Sequence, residues 1–188
     1  MSFDKEIQKS VELLKKGKVI LYPTDTIWGI GCDATNSKSV QKIYKIKGRT
    51  ESKTMILLLD AVENLHKYVN KVPDITPELI SQSDKPLTIV YKGAKNISKT
   101  LIASDGTIAI RIVQDDFCRE LIEKLGKPLV STSANISGQP SAKYFNEISD
   151  EIKENVDYVV NLHQDKIGVK ASTIIKLEDN GTFEVLRP

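Results

Sequence analysis

The chain has 188 residues, a length typical of one α/β domain or of two small ones. Hydrophobic residues make up 40% and charged residues 28%, which excludes a disordered tail, a collagen-like chain and a coiled coil. The 27 Lys and Arg residues nearly balance the 25 Asp and Glu residues, so the net charge is +2. That excess is too small to indicate a nucleic-acid partner by itself, and any anion site must be local.

The composition also bears on cellular location. Cys32 and Cys118 cannot build a disulfide framework, and neither lies in a C-x-x-C or Cys/His cluster, so we expect a reducing compartment. The first ten residues are polar and amphipathic, unlike a signal peptide, and no apolar run reaches the roughly 18 residues that a membrane span requires. The sequence predicts a cytoplasmic protein without a membrane partner.

Helix and strand patterns alternate from the start of the chain. Apolar residues at helical spacing from Phe3 to Leu14, followed by Gly17, predict an amphipathic helix over residues 3–16. A short apolar strand then ends at Pro23. Ser37 can cap a second helix, in which Lys and Arg side chains share one face.

The remaining elements follow from the same criteria. We predict helices near residues 61–68, 76–83, 117–125 and 145–153, and strands at residues 55–59, 86–91, 107–112, 128–132, 156–160, 173–177 and 183–186. No repeat or linker divides the chain, which predicts a single α/β domain over residues 1–188, with a mixed twisted sheet and flanking helices. The polar stretch 161–172 is either a mobile loop or an ordinary surface loop.

Several common motifs are absent or misplaced. The segment from Gly29 to Ala34 matches G-x-G-x-x-A, but Pro23 ends the preceding strand too early and the next helix begins after the motif, which excludes a dinucleotide site. The chain contains neither the G-x-x-x-x-G-K-[ST] nor the G-x-S-x-G pattern. His66 and His163 lack partners at metal-ligand spacing, so we predict no metal site.

Two polar clusters lie at the ends of predicted elements. Short polar side chains between Pro23 and Gly31 could hold a small ligand or could form a turn. From Lys38 to Lys53, six basic residues and one acid give a local charge of +5. Such a run is either a solvated face or a polyphosphate site, for which Lys47-Gly48-Arg49 and Lys53 are suited.

Two further clusters contain groups that bind oxygen-rich ligands. Arg111 ends the pattern Thr107-Ile-Ala-Ile-Arg111 in a strand suited to burial, and a buried guanidinium needs a partner. That partner is either an internal carboxylate such as Asp25 or the carboxylate of a ligand. The segment from Ser131 to Ser141 is rich in hydroxyl and amide groups directly after an apolar strand.

Taken together, these motifs resemble the YrdC-like family of threonylcarbamoyl-AMP synthases. The matching patterns are, in order, P-T-D-T-x-W-G-x-G, K-x-R, T-x-A-x-R, S-T-S-A-N-x-S-G-x-P-S, S-T and L-R-P. The resemblance spans nearly the whole chain and implies a twisted α/β sheet with a concave basic cavity. It implies conversion of L-threonine, bicarbonate and ATP into threonylcarbamoyl-AMP and pyrophosphate. The product would serve N6-threonylcarbamoyladenosine modification of tRNA through downstream threonylcarbamoyl transferase proteins.

The resemblance also implies roles for particular residues. Lys47 and Arg49 would be catalytic. The ATP-binding residues would be Lys47, Arg49, Lys53, Thr107, Ser133, Asn135, Ser141 and Arg187. The L-threonine-binding residues would be Thr26, Arg111, Ser131 and Ser172. Mg²⁺ would accompany the triphosphate, since no acidic cluster marks a protein metal site.

The chain departs from the family pattern at two places. Leu58 stands where some members carry a threonine-contacting histidine, so this contact is absent or replaced. Asp84-Lys85 replaces the glycine-containing part of the usual P-G-P-L-T turn. The alternative function is a module of the same fold that binds double-stranded RNA or tRNA without synthase activity. A relative that has lost threonine specificity is an intermediate case.

Overall fold

A computed structural model describes residues 2–50, 55–168 and 170–188. The α-helices are α1 (Phe3–Lys15), α2 (Ser37–Ile46), α3 (Thr76–Ser81), α4 (Asp116–Leu125) and α5 (Asp150–Asn155). The strands are β1 (Ile20–Tyr22), β2 (Gly29–Gly31), β3 (Ile56–Leu59), β4 (Leu87–Lys92), β5 (Thr107–Ile112), β6 (Leu129–Ser133), β7 (Tyr158–Val159), β8 (Thr173–Leu177) and β9 (Phe183–Arg187). Short 3₁₀ helices cover Val62–Lys67, Lys99–Leu101 and Phe145–Glu147.

Local sequence explains the bounds and the buried faces of helices α1 and α4, which pack on the same side of the sheet. In α1, apolar residues at helical spacing, including Ile7 and Leu14, are fully buried. The Asp115 side chain caps α4 by accepting a hydrogen bond from the Cys118 backbone N–H at 2.7 Å. Gly126 ends α4 with a φ of 70°, a left-handed conformation that glycine adopts without steric cost.

The strands form one mixed sheet of nine strands within the described residues. Their order across the sheet is β7-β1-β2-β6-β3-β5-β4-β8-β9. β1 with β7, β3 with β5 and β4 with β8 are parallel pairs, and the other neighbours in the sheet are antiparallel. The α/β architecture predicted from the sequence is therefore confirmed.

Two hydrophobic cores lie against this sheet. The first contains Trp28, Ile30 and Leu57 and is covered by α2 and the Val62–Lys67 helix. The second contains Tyr22, Leu58 and Leu129 and is covered by α1 and α4. Within the described ranges, none of the helices has the length and apolar character that crossing a membrane requires.

Two local predictions need correction, and one strand was missed. Asn36, and not Ser37, caps α2, because its side chain accepts hydrogen bonds from the backbone N–H groups of Lys38 and Ser39. The region predicted as a helix over 145–153 is a 3₁₀ turn followed by the shorter α5. Strand β2 was not predicted at all, since its Gly-Ile-Gly sequence lacks an apolar run.

Close packing explains why β2 is rich in glycine. A Cβ atom on Gly31 would lie 2.4 Å from the Val130 carbonyl oxygen and 2.7 Å from Cε1 of Tyr22. No side chain fits in that space, so glycine lets β2 lie between its neighbours. The same glycines made the segment resemble a dinucleotide motif, and its position within a strand agrees with the exclusion of that motif.

Candidate functional site

A cavity of about 210 Å³ lies over the middle of the sheet. It is lined by residues from β2, β3, β5, β6, β8 and β9, and by the loop between β1 and β2. The predicted site residues that line it are Thr26, Arg49, Arg111, Ser131, Ser133, Ser141, Ser172 and Arg187. The fold therefore brings together residues that are separated by more than a hundred positions in the sequence.

A tight turn in the β1–β2 loop positions Thr26. The Thr24 hydroxyl donates to the Ile27 carbonyl at 2.7 Å and accepts from the Thr26 backbone N–H at 3.0 Å. The hydroxyls of Thr24 and Thr26 are 2.9 Å apart. Turn formation and ligand binding were alternatives for this segment, and the turn is present. Its geometry also places Thr26 in the cavity wall.

Arg111 connects that turn to the sheet. Its Nη2 lies 3.0 Å from Oδ1 of Asp25, and its Nη1 donates to the Thr26 hydroxyl at 3.1 Å. The side chains of Arg111 and Asp25 are 4% and 11% exposed, so the ion pair is nearly buried. The internal carboxylate is thus one partner of Arg111. Its Nε is also buried and makes no hydrogen bond with the described residues, which leaves a donor for a ligand.

The charges near Arg111 are unevenly balanced. Burial raises the pKa of Asp25, although the Arg111 guanidinium acts in the opposite direction. Burial lowers the pKa of Arg187, and repulsion from Arg111 lowers it further. The cavity therefore holds guanidinium groups whose positive charge one carboxylate only partly offsets, an arrangement that favours an anionic ligand.

Lys47 lies beneath the cavity and not on the surface. It is 1% exposed, and its Nζ donates to the carbonyl oxygens of Ser133 and Asn135, the latter at 2.6 Å. Its own carbonyl accepts from the Ser137 backbone N–H at 2.9 Å. Burial, and to a smaller extent the charge of Arg49, lower the pKa of Lys47 to about 8. The solvated-face interpretation of this basic run is wrong for Lys47.

The loop held by Lys47 supplies several other predicted residues. Ser131 and Ser133 alternate along β6 and both line the cavity. The Asn135 amide group donates to the carbonyls of Ile136 and Gln139 at 2.9 and 2.7 Å. Asn135 lines an adjacent cavity of about 220 Å³, and Ser141 lines both cavities. Asn135 therefore lies beside the main cavity and shapes its loop.

Ser172 and Arg187 line the cavity at its end toward β8 and β9. Arg187 donates to the Ser172 carbonyl from Nε at 3.0 Å and from Nη2 at 2.7 Å. The Ser172 hydroxyl lies 2.7 Å from the Thr88 hydroxyl, in a fully buried contact. Sequence reasoning missed Thr88, although a hydroxyl within the apolar β4 pattern is the kind of signal that could have identified it.

The other predicted residues lie elsewhere. Thr107 is at the opposite end of β5 from Arg111, where its hydroxyl donates to Asp105 at 2.6 Å, so the structure does not bring it into the cavity. Leu58 is fully buried in the second core. Lys53 falls outside the described residues. No group of three or more His, Cys, Asp or Glu within the described ranges could hold a metal ion.

A second, larger cleft lies beside α4. It has a volume of about 1010 Å³ and is bordered by Phe3, His163 and charged residues of α4, including Glu120 and Glu123. None of the predicted site residues lines it. Arg119, Lys124 and Lys166 stand beside its acidic side chains, so its charge is mixed, unlike the guanidinium-rich lining of the smaller cavity.

The fold and the cavity together define a class of protein. It is an α/β protein whose mixed sheet carries a small-molecule site, in which Arg49, Arg111 and Arg187 stand among serine and threonine hydroxyls. Guanidinium and hydroxyl donors are the groups that bind carboxylate and phosphate oxygens.

Comparison with known proteins identifies the family. The Sua5/YciO/YrdC family model, described as "Telomere recombination", matches residues 12–188. The chain belongs to this family. It is 37% identical, over 86% of its length and 88% of the relative's, to a threonylcarbamoyl-AMP synthase of Pseudoalteromonas translucida. It is 38% identical, over 97% of its length and 87% of the relative's, to a putative threonylcarbamoyl-AMP synthase of Methanocaldococcus jannaschii.

Solved structures show the same fold. The Pyrococcus abyssi Sua5 structure, complexed with L-threonine, matches with a TM-score of 0.87 and 25% identity. The match covers all of this chain and 55% of the Sua5 chain, so this chain spans about half of that protein. Escherichia coli YciO matches with a TM-score of 0.84 and 28% identity over 99% of this chain and 89% of YciO.

Proposed function

We propose that this protein is an L-threonylcarbamoyladenylate synthase, which makes threonylcarbamoyl-AMP and pyrophosphate from L-threonine, bicarbonate and ATP. The observation that carries the proposal is the convergence of Arg49, Arg111 and Arg187 with hydroxyl groups in one cavity, in a chain whose relatives are named as such synthases. It is an enzyme of nucleotidyl transfer, with L-threonine and ATP as substrates.

The chemistry requires positioning more than covalent catalysis. The threonine amine and bicarbonate first form a carbamate with loss of water. A carbamate oxygen then attacks the α-phosphorus of ATP, and the bond to the departing pyrophosphate breaks in line with the attack. Cationic and hydroxyl groups hold the reactants in this arrangement and offset the negative charge that spreads over the phosphoryl oxygens.

The cavity divides into two subsites in this proposal. Threonine binds near Arg111, whose unpartnered Nε faces a carboxylate, with Thr26, Ser131 and Ser172 around it. ATP binds toward Arg49 and Arg187, in contact with the loop of Ser133, Asn135 and Ser141. Mg²⁺ enters as the MgATP substrate, bound to the phosphates. Bicarbonate binds between the two subsites, where its carbon must meet the amine.

The proposal assigns different roles to the remaining predicted residues. Lys47 fixes the Ser133–Asn135 loop and adds positive charge below the phosphates. Lys53 remains a predicted phosphate contact. Thr107 lies too far along β5 and has no place in this nucleotide site. Threonylcarbamoyl-AMP would then pass to threonylcarbamoyl transferase proteins that modify tRNA.

The test is pyrophosphate release from ATP with L-threonine and bicarbonate each omitted in turn. We expect release when both are present and loss of release when either is absent. Release that is independent of threonine would contradict the synthase function. The matched control is Arg119→Ala, which removes an exposed guanidinium near the larger cleft and is expected to leave release unchanged.

The RNA-binding alternative has less support from the geometry. Lys47 of the basic run is buried, and Lys42 forms an ion pair with Asp157 at 2.7 Å. Fewer free cations therefore remain for a phosphate backbone than the sequence suggested. Binding of double-stranded RNA or tRNA that weakens steeply with added salt, without threonine-dependent release of pyrophosphate, would favour the alternative.

A further inference from the structure

Thr88 is fully buried in β4, and its hydroxyl contacts the Ser172 hydroxyl at 2.7 Å. It does not line the cavity, whereas Ser172 does. Its neighbour in register on β5 is Arg111. Thr88 thus lies directly behind the part of the cavity where the proposed threonine subsite is found.

Protein groups outside the cavity occupy most of the hydrogen-bonding capacity of the Ser172 hydroxyl, namely Thr88 and Arg187. A serine hydroxyl has one proton to donate and two lone pairs that accept. One lone pair of the hydroxyl accepts from Nη2 of Arg187, which lies 3.3 Å from Oγ of Ser172. The Thr88 hydroxyl either donates to the second lone pair or accepts the serine proton.

The cost of burying a proton without an acceptor decides between these two directions. Among the described residues, Ser172 is the hydrogen-bond partner of the Thr88 hydroxyl. If Ser172 donated to Thr88, the buried threonine proton would have no acceptor, which is costly. If Thr88 donates, its proton is satisfied and the Ser172 proton points to an acceptor in the cavity. The second direction satisfies both protons.

We propose that Thr88 is a positioning residue that, together with Arg187, fills both acceptor positions of Ser172, so that Ser172 donates its proton to a carboxylate in the cavity. The proposal rests on the proposed function for the identity of that carboxylate as L-threonine. Ser172 and the free Nε of Arg111 then act as two donors at one end of the cavity. Two donors recognise a carboxylate and disfavour a cationic group at that position.

The test measures L-threonine binding by calorimetry and pyrophosphate release in matched variants. Thr88→Val keeps the shape of the side chain and removes the hydroxyl. We expect about tenfold weaker threonine binding, because the serine proton is no longer directed to the cavity. The KM for ATP should stay within about twofold, since Arg187 keeps its bonds to the Ser172 carbonyl. Thr88→Ser restores the hydroxyl and should bind threonine within about twofold of the unaltered protein.

A double-mutant cycle separates positioning from general structural damage. Thr88→Val should have little further effect in a Ser172→Ala background, because the group through which it acts is gone. If the losses of threonine binding in the two single variants multiply in the double variant, the proposal is overturned. Unchanged or tighter threonine binding in Thr88→Val would overturn it as well. Tighter binding would indicate that Thr88 accepts the serine proton. If Thr88→Val does not fold, Thr88→Cys, with a weak thiol donor, serves in the same cycle.

The two readouts distinguish the inference from the proposed function. Threonine binding without threonine-dependent pyrophosphate release in the unaltered protein would contradict the synthase function, while the binding ratios of the variants would still decide the role of Thr88. Normal release with equal threonine binding in Thr88→Val and the unaltered protein would overturn the role of Thr88 alone. Absence of threonine binding in the unaltered protein would overturn both.

Discussion

Two buried cations serve the cavity in different ways. Arg111 is compensated by a full negative charge, since Asp25 lies 3.0 Å away. Lys47 is compensated by the dipoles of two backbone carbonyls. A guanidinium stays protonated in proteins, whereas the pKa of Lys47 falls to about 8 because burial disfavours its charge. The comparison teaches that the kind of cation matters, because a guanidinium keeps its charge in a buried site, whereas the charge of a buried ammonium held by carbonyl groups depends on pH.

The largest effect is expected when the ion pair is broken. Arg111→Met leaves Asp25 buried without its countercharge, and we expect a loss of about 3 kcal/mol in the free energy of unfolding. Denaturant unfolding measures this loss. Arg111→Lys is the matched variant, which keeps one positive charge and loses the planar fork. It should lose less stability, yet raise the KM for threonine at least about tenfold. A loss under about 1 kcal/mol in Arg111→Met would mean that the pair contributes little.

A somewhat smaller effect is expected at Lys47. Lys47→Met keeps the length of the side chain but removes the donor to the Ser133 and Asn135 carbonyls. Leaving these carbonyls unsatisfied should cost about 2 kcal/mol of stability and disorder the loop that contacts ATP. Lys45→Met, at an exposed position in the last turn of α2 just before Lys47, is the control and should change little. Equal unfolding midpoints for the two variants would contradict the anchoring role of Lys47.

Arg49 sharpens the comparison because it lines the cavity and is only partly buried. Arg49→Ala should leave the unfolding free energy nearly unchanged, as partly solvated cations contribute little to stability. It should lower kcat/KM for ATP by roughly tenfold to a hundredfold through loss of a charge-assisted contact. Steady-state kinetics with ATP as the varied substrate measures this. Unaltered kinetics would mean that Arg49 does not contact ATP.

Lys47 also gives the stability of the protein a pH dependence, which is small at neutral pH and grows above pH 8. Its pKa is 10.5 when unperturbed and about 8 in the folded protein. Between these pH values the unfolded chain binds a proton that the folded chain does not, so the lysine contribution to stability rises with pH over this range and is flat below pH 8. Subtracting the unfolding free energies of Lys47→Met from those of the unaltered protein, at several pH values, isolates this slope. A difference that does not vary with pH would show that Lys47 keeps its proton.

Elements that depend on local sequence were predictable. Helix α4 followed from its apolar spacing and from Gly126, and β5 followed from its apolar run, because these signals lie within the element itself. Strand β2 was missed, since its glycines are required by Val130 and Tyr22, which lie elsewhere in the sequence. Whether this segment forms a strand depends on packing against residues that are distant in the sequence, which its own residue pattern does not reveal.

The site was predictable in composition but not in arrangement. The burial of Lys47 depends on carbonyls more than eighty positions away, so its lysine-rich helix resembled a solvated face. Thr107 and Arg111 alternate onto one face of β5, but a strand rises about 3.3 Å per residue, which places their side chains at opposite ends. The sequence offered Asp25 and a ligand as alternative partners for Arg111, and geometry was needed to find the first.

The β8–β9 hairpin also covers the strand edge that the rest of the sheet would otherwise expose. β8 covers the outer edge of β4, and that strand carries the buried Ile89 and Tyr91. Release of the hairpin would expose unpaired backbone groups beside these apolar side chains, a template on which another chain can add a strand. The same release would carry Ser172 and Arg187 away from the cavity. Loss of ligand binding and the onset of aggregation should therefore coincide on gentle heating.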